Sequence, residues 1–205
     1  TIDAANSGTT IRIAAAIASL ADDQITLTGD SSLKKRPMQP LLDALKSLGA
    51  QCNSSGGNPP ISVKGRIKGG KVKISGNMSS QFISALMITA PKLEDGLVID
   101  IDGKLVSKPY IDATITTMKK FGVDVEIKTP YKKYIIPEQN YKPTTLTIPS
   151  DFSSLALLLA AAVLLGEDLT IKASTGSMPQ ADEAIIDILE TMGVIAVSYT
   201  HLRAH

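Results

Sequence analysis

Apolar positions along this chain fall into two kinds of helix, and the two kinds alternate. One kind keeps hydrophobic residues at i, i+3/i+4 spacing with charges opposite: Leu41, Leu45 and Leu48, then Ile111, Ile115 and Met118, then Ile185, Ile188 and Met192. That spacing predicts an amphipathic helix with one buried stripe. The other kind, over roughly 9–20, 80–90 and 152–165, is apolar nearly all round and dense in Ala, Leu and Ile. Helices of that type are expected inside a domain, covered by other elements. After each comes a short β-rich run: Ile25-Thr26-Leu27-Thr28, Leu97-Val98-Ile99-Asp100-Ile101 and Leu169-Thr170-Ile171-Lys172. Further strands are predicted at 61–64, 71–75, 123–127, 132–136 and 145–148.

The order recurs three times. Hydroxyl-rich starts precede the apolar helices at Asn6-Ser7-Gly8-Thr9-Thr10, Met78-Ser79-Ser80-Gln81 and Asp151-Phe152-Ser153-Ser154. The amphipathic helices close on Gly49, Gly122 and Gly193, spaced 73 and then 71 positions apart, and glycine is the expected stop. The repeat of about 72 residues, each with two helices and three or four strands, predicts a mixed α/β (α+β) fold of stacked copies. A stretch rich in Pro, Lys and Tyr over 130–149 reads as a strand and then a crossover, with a domain boundary near residue 143. Residues 198–205 fit neither the repeat nor a strand pattern, yet they hold both histidines.

Composition narrows the function. With 43% hydrophobic and 20% charged residues among 205, the chain can bury a sizeable core. Its formal charge of +1 argues against a nucleic-acid footprint, which needs a clear basic excess. The one cysteine, Cys52, excludes an intramolecular disulfide and suits a reducing compartment, as a small residue after a helix end. No run reaches the roughly 18 uncharged apolar residues of a membrane span. The expectation is a soluble, cytoplasmic protein segment with no nucleic-acid or membrane partner.

The sequence offers no metal-ligand cluster and no phosphate-binding glycine loop. It offers repeated helix N-termini bearing hydroxyls, an amide and a glycine. The first turn of a helix has unpaired N–H groups and about half a positive charge, so it attracts anions. Ser79, Ser80 and Gln81 add side-chain donors, although serine caps helices whatever the function. Gly8 lets an anion approach without a Cβ in the way. A basic residue precedes a proline in the first two copies, Arg36-Pro37 and Lys108-Pro109. Proline is favoured at the first helical position, which would fix that basic side chain near the helix start. A guanidinium held there suits a carboxylate or phosphate. Ser107 and Tyr110 flank the second pair. The combination points to a pocket for a small molecule with more than one anionic group.

Taken in order, Asn6-Ser7-Gly8-Thr9-Thr10-Ile11-Arg12, Lys35-Arg36-Pro37-Met38, Ser79-Ser80-Gln81-Phe82 and Ser107-Lys108-Pro109-Tyr110 resemble the successive motifs of 5-enolpyruvylshikimate-3-phosphate synthases. The resemblance covers roughly residues 1–195. It implies repeated βαβαββ units in an enolpyruvyl transferase-like, inside-out α/β barrel architecture. It also implies transfer of the enolpyruvyl group of phosphoenolpyruvate to the 5-hydroxyl of shikimate 3-phosphate, with release of phosphate, in the shikimate route to chorismate. No cofactor and no metal is implied. Gly8 and Arg36 would contact phosphoenolpyruvate, and Gln81 both substrates. Ser79, Ser80 and Ser107 would bind shikimate 3-phosphate, and Tyr110 would line the same site. Asn6 and Arg12 are expected to give support and charge balance.

Residues 1–142 then correspond to a substrate-binding domain lacking most of its first unit, 143–197 to part of the first unit of a second domain, and 198–205 to a tail outside the family pattern. The family's proton-transfer residues would lie outside this segment, so the chain alone is expected to be inactive and the complete protein a monomer. Gln180-Ala181-Asp182 stands where the family has Gln-Gly-Asp, and a Cβ there is expected to disturb a tight turn into the helix. Enolpyruvyl transferases acting on UDP-N-acetylglucosamine share the Arg-Pro element. They carry a cysteine shortly before it, and residues 29–35 have none. RNA 3′-phosphate cyclases need a histidine with no counterpart before residue 198. A non-catalytic module holding shikimate 3-phosphate is the remaining alternative.

Overall fold

A computed structural model describes residues 1–166, 170–171 and 179–195. The chain divides into two compact units, Thr1–Thr145 and Leu146–His205. The first unit is two copies of one topology. The first copy runs β1 (Ile2–Asp3), α1 (Gly8–Ala18), β2 (Ile25–Thr28), α2 (Gln39–Ser47), β3 (Gln51–Ser55) and β4 (Asn58–Lys64). The second runs β5 (Gly70–Ser75), α3 (Ser80–Thr89), β6 (Leu97–Asp102), α4 (Lys108–Lys120), β7 (Glu126–Thr129) and β8 (Lys133–Ile136). Each copy is a βαβαββ unit, with sheet orders β1-β2-β4-β3 and β5-β6-β8-β7. In both, the first two strands are parallel and the rest antiparallel. A parallel pair needs a crossover, which α1 and α3 supply.

Register follows from alternation. Leu27 pairs with Ile61, and Val63 with both Ile25 and Cys52. In the second sheet Ile99 lies between Val72 and Tyr134. All of these except Ile25 are buried, because period two places them on one face. The helices follow the two predicted types. Leu41, Leu42 and Leu45 form the buried stripe of α2, while α3 buries Phe82, Ile83, Ala85, Leu86 and Met87 almost all round. Packed against both α1 and α4, α3 belongs to a single hydrophobic core shared by the two copies.

Several expectations are corrected. The predicted strand at 145–148 is neither helix nor strand; Pro143 and Pro149 flank it and remove ladder donors. Pairing of β7 begins at Glu126, because Val123 is spent on the helix end, where its N–H donates to Met118 O at 3.0 Å. No local signal predicts the strand β3: Gln51-Cys52-Asn53-Ser54-Ser55 turns only Cys52 into the core, so no alternation marks it. Pro37 does not open α2, which starts at Gln39 with Pro40 in its first turn.

The second unit holds α5 (Phe152–Leu165) and α6 (Ile185–Thr191), the latter entered through a 3-10 turn at Ala181–Ala184. Against expectation α5 is not covered: Leu157 is 74% exposed and Leu164 85%, since no sheet stands beside it among the described residues of this unit. The predicted strand around 169–172 runs into residues outside those described, and the tail 198–205 lies outside them entirely. Among the described residues no helix is long and apolar enough to cross a membrane.

Candidate functional site

The start of α1 is shaped by its own capping. Ser7 Oγ accepts from Thr10 N at 3.1 Å, which leaves Gly8 as the buried first residue of the helix. Opposite it, the loop after β2 is pinned twice: Asp30 N donates to Ala5 O at 2.8 Å, and Leu33 N to Asp30 Oδ1 at 2.7 Å. A 3-10 turn at Leu33–Lys35 follows, and Arg36 leaves it in extended conformation, with φ −86° and ψ 128°. Fully buried Leu33 and Met38 anchor the loop on both sides, and Met38 N donates to Gly57 O at 2.8 Å. The Arg36 side chain thereby returns over α1. A Cβ on Gly8 would stand 2.7 Å from Arg36 Nη1 and 3.5 Å from Arg12 Nη1.

Arg12 joins the two copies. Its Nη1 donates to Gln81 Oε1, and its guanidinium lies 4.9 Å above the centre of the Phe82 ring. Gln81 Nε2 in turn donates to Thr9 Oγ1 at 3.1 Å. Arg12 Nε is buried without a partner. Burial, and after it the charge of Arg36, pull the Arg12 pKa below its ordinary value. Arginine nevertheless stays charged at neutral pH. Among the described residues the ion pairs lie elsewhere, such as Lys71 and Lys133 on Asp100, and none involves Arg12 or Arg36. The expected charge balance by Arg12 is therefore not what is found. It adds a second cation beside Arg36 instead of compensating one.

Ser79 caps α3, its Oγ accepting from Gln81 N at 3.3 Å, which places Gln81 in the first turn of the helix. Ser80 is buried in the first turn, at 3% exposure. Ser107 caps α4 in the left-handed region (φ 55°) and makes no capping bond with its side chain. Tyr110, one turn on, is 49% exposed. The Ser84–Thr114 hydroxyl contact at 2.8 Å ties α4 to α3. Gly8, Arg36 and Gln81 thus share one cluster with Arg12, while Ser107 and Tyr110 stand at the neighbouring helix start.

Sequence reasoning missed a basic concavity of about 390 Å3 beside that start, lined by Lys104, Lys108, Lys132, Tyr131 and Gly103 among others. Lys108 Nζ sits 4.8 Å above the Tyr131 ring centre, Tyr131 OH donates to Asp112 Oδ2 at 2.9 Å, and Lys132 donates to Gly103 O. Lys104 comes from the β6–α4 loop, Lys108 from the first position of α4 and Lys132 from the β7–β8 turn, so only Lys108 stood in a local motif. This concavity does not include Gly8, Arg36 or Gln81.

In the second unit Asp151 caps α5, accepting from the Ser153 and Ser154 backbone N–H groups at 3.2 Å. The Ser154 hydroxyl, and after it the Ser153 N–H, hold the Asp151 carboxyl below its usual range. Gln180 accepts from Phe152 N at 3.0 Å and donates to Ser150 O at 2.8 Å, while the Ser153 hydroxyl donates to Asp182. Ala181 between them is not among the residues with positive φ, so its Cβ meets no backbone strain.

Paired βαβαββ units thus bring two guanidiniums, with no carboxylate partner among the described residues, to the start of α1. Residues 1–202 match the family model of EPSP synthase (3-phosphoshikimate 1-carboxyvinyltransferase). The 3-phosphoshikimate 1-carboxyvinyltransferase of Nitrosopumilus maritimus is 62% identical over 193 residues, covering 94% of this chain and 46% of its own length. That of Methanosarcina mazei is 50% identical over 197 residues, with the same two coverages. A solved EPSP synthase from Acinetobacter baumannii superposes with a TM-score of 0.72 at 28% identity, covering 93% of this chain and 42% of that one. The chain belongs to the EPSP synthase family, and it spans about half the length of the curated relatives it matches.

Proposed function

We propose that this chain is the substrate-holding part of a 3-phosphoshikimate 1-carboxyvinyltransferase, the reaction being that of the protein with the full length of its relatives. The 5-hydroxyl of shikimate 3-phosphate gives up its proton and its oxygen adds to C2 of phosphoenolpyruvate as C3 gains a proton. Loss of that C3 proton and of inorganic phosphate then restores the double bond. Gly8 and Arg36 bind phosphoenolpyruvate, and Gln81 meets both substrates. Ser79, Ser80 and Ser107 hold shikimate 3-phosphate, and Tyr110 lines its site. These residues bind and orient; no proton transfer is assigned to any of them. The protein works in the cytoplasm as a monomer, in two domains that meet near residue 143.

The observation that carries this reading is the pair of guanidiniums, Arg12 and Arg36, converging on the buried glycine at the start of α1 without a carboxylate partner among the described residues. Two like charges at one helix start are unfavourable until an anion joins them. The basic concavity beside Ser107 supplies a second anionic locus, which matches a reaction of two phosphorylated substrates. Phosphate release by the full-length protein, dependent on both substrates, tests the activity. Arg36→Ala should weaken phosphoenolpyruvate binding by roughly tenfold or more, the scale of a lost charged hydrogen bond, and leave shikimate 3-phosphate binding alone in calorimetry. Equal loss of both ligands would remove the role given to Arg36.

A further inference from the structure

The contact between Arg12 and Gln81 decides more than packing. A guanidinium has five N–H donors and no acceptor, so only the oxygen of a carboxamide can face it. With Gln81 Oε1 held by Arg12 Nη1, Nε2 is turned to the other side, where it donates to Thr9 Oγ1 at 3.1 Å. That bond uses one of two N–H groups. The second stays free to donate, and the Thr9 hydroxyl, already accepting, is left with its own O–H to give. Arg12 is itself held against the Phe82 ring and lies 3.5 Å from where a Gly8 Cβ would be. Its Nε has no partner at all, so little besides Gln81 and Phe82 accounts for its placement.

We propose that Arg12 is a positioning residue: it fixes the amide of Gln81 so that the first two repeats present only donors to the anion held at Gly8 and Arg36. An unheld carboxamide turns either end forward at similar energy, and its oxygen repels a carboxylate or phosphate. Arg12 removes that choice. The inference rests on the proposed function for the identity of the anion, phosphoenolpyruvate, while the amide orientation stands on the contacts alone.

A double-mutant cycle in the full-length protein tests it, with phosphoenolpyruvate and, separately, inorganic phosphate as the titrated anion. Arg12→Met should weaken anion binding roughly tenfold when Gln81 is present and by less than about threefold in a Gln81→Leu background, within the range of coupling between touching residues. Equal factors in both backgrounds would overturn the inference. Arg12→Lys keeps the charge without the planar fork and should behave like Arg12→Met; wild-type affinity in that variant would mean that Arg12 acts by charge alone.

A second measurement needs no substrate. In Gln81→Glu the new carboxyl, followed by 13C NMR, should titrate about one pH unit lower with Arg12 than with Arg12→Met. Identical midpoints would show that the two side chains do not meet and would overturn the orientation. If wild-type protein bound inorganic phosphate with this coupling but ignored phosphoenolpyruvate, the proposed function would fall and the positioning role would stand.

Discussion

Gly8 is the residue at which backbone and site chemistry meet most closely. A methyl added there would stand 2.7 Å from Arg36 Nη1, the far end of a flexible side chain, so the arginine and not the helix must move. Gly8→Ala is therefore expected to keep or slightly raise the melting temperature, since alanine suits a helix better. It should also raise the KM for phosphoenolpyruvate in the full-length protein by roughly ten- to a hundredfold through misplacement of Arg36. A fall in melting temperature with unchanged KM would contradict this. Gly8, Arg36 and Gln81 were legible as candidates because each sits in a short motif of the right chemical type. Arg12 was legible only as a member of the first motif. Its partner lies 69 positions away, and nothing near Arg12 in the chain announces Gln81.

Elements carry these side chains, and the loop from β2 to α2 is the one on which Arg36 depends. Leu33 is fully buried beneath its 3-10 turn. Leu33→Ala should cost about 2–5 kcal/mol in urea unfolding and raise the phosphoenolpyruvate KM as well, whereas a purely structural anchor would affect stability alone. The segment after β8 is strapped to α3 by Tyr141, whose hydroxyl donates to Ile88 O at 2.8 Å. Burial pushes that hydroxyl up to about 12, above its unfolded value near 10. The folded state thus holds a proton that the unfolded chain has released. The contribution is complete below pH 10 and is lost as pH climbs to about 12. Between pH 9 and 12 the urea midpoint of wild type should fall more steeply than that of Tyr141→Phe. Parallel slopes would refute the strap. Tyr131 and Tyr134 are also raised, but they are common to both proteins and cancel in that difference.

At the scale of the whole molecule the apolar surface is uneven. In the first unit Ile2 and Ile17 are 39% and 47% exposed around a concavity of about 340 Å3 that also includes Ala14, Leu20 and Ile25. In the second unit Leu157, Leu164 and Leu165 are each 74% exposed or more. Patches of this kind mark surfaces that bind something. The 205-residue chain by itself should enhance the fluorescence of an apolar dye and self-associate at micromolar concentration in analytical ultracentrifugation. A protein with the full length of its relatives should do so less. Dye-silent, monodisperse monomer from the 205 residues would refute this.

Sequence alone determined what depends on near neighbours. The repeat, the two kinds of helix, the serine caps of α1 and α3 and the glycine stops are all written within a few residues of where they act. The full βαβαββ order was implied only by the family resemblance, because β3 has no alternation of its own to mark it. Tertiary structure alone decided what depends on residues far apart meeting. It turned a polar stretch into β3 because β4 offered it a partner, left α5 uncovered, gathered three lysines from a loop, a helix start and a turn, and set two guanidiniums side by side with no carboxylate partner among the described residues. The physical reason is range. Backbone propensity and capping act over one or two turns, whereas a hydrogen bond between Arg12 and Gln81 exists only once two separate repeats have packed.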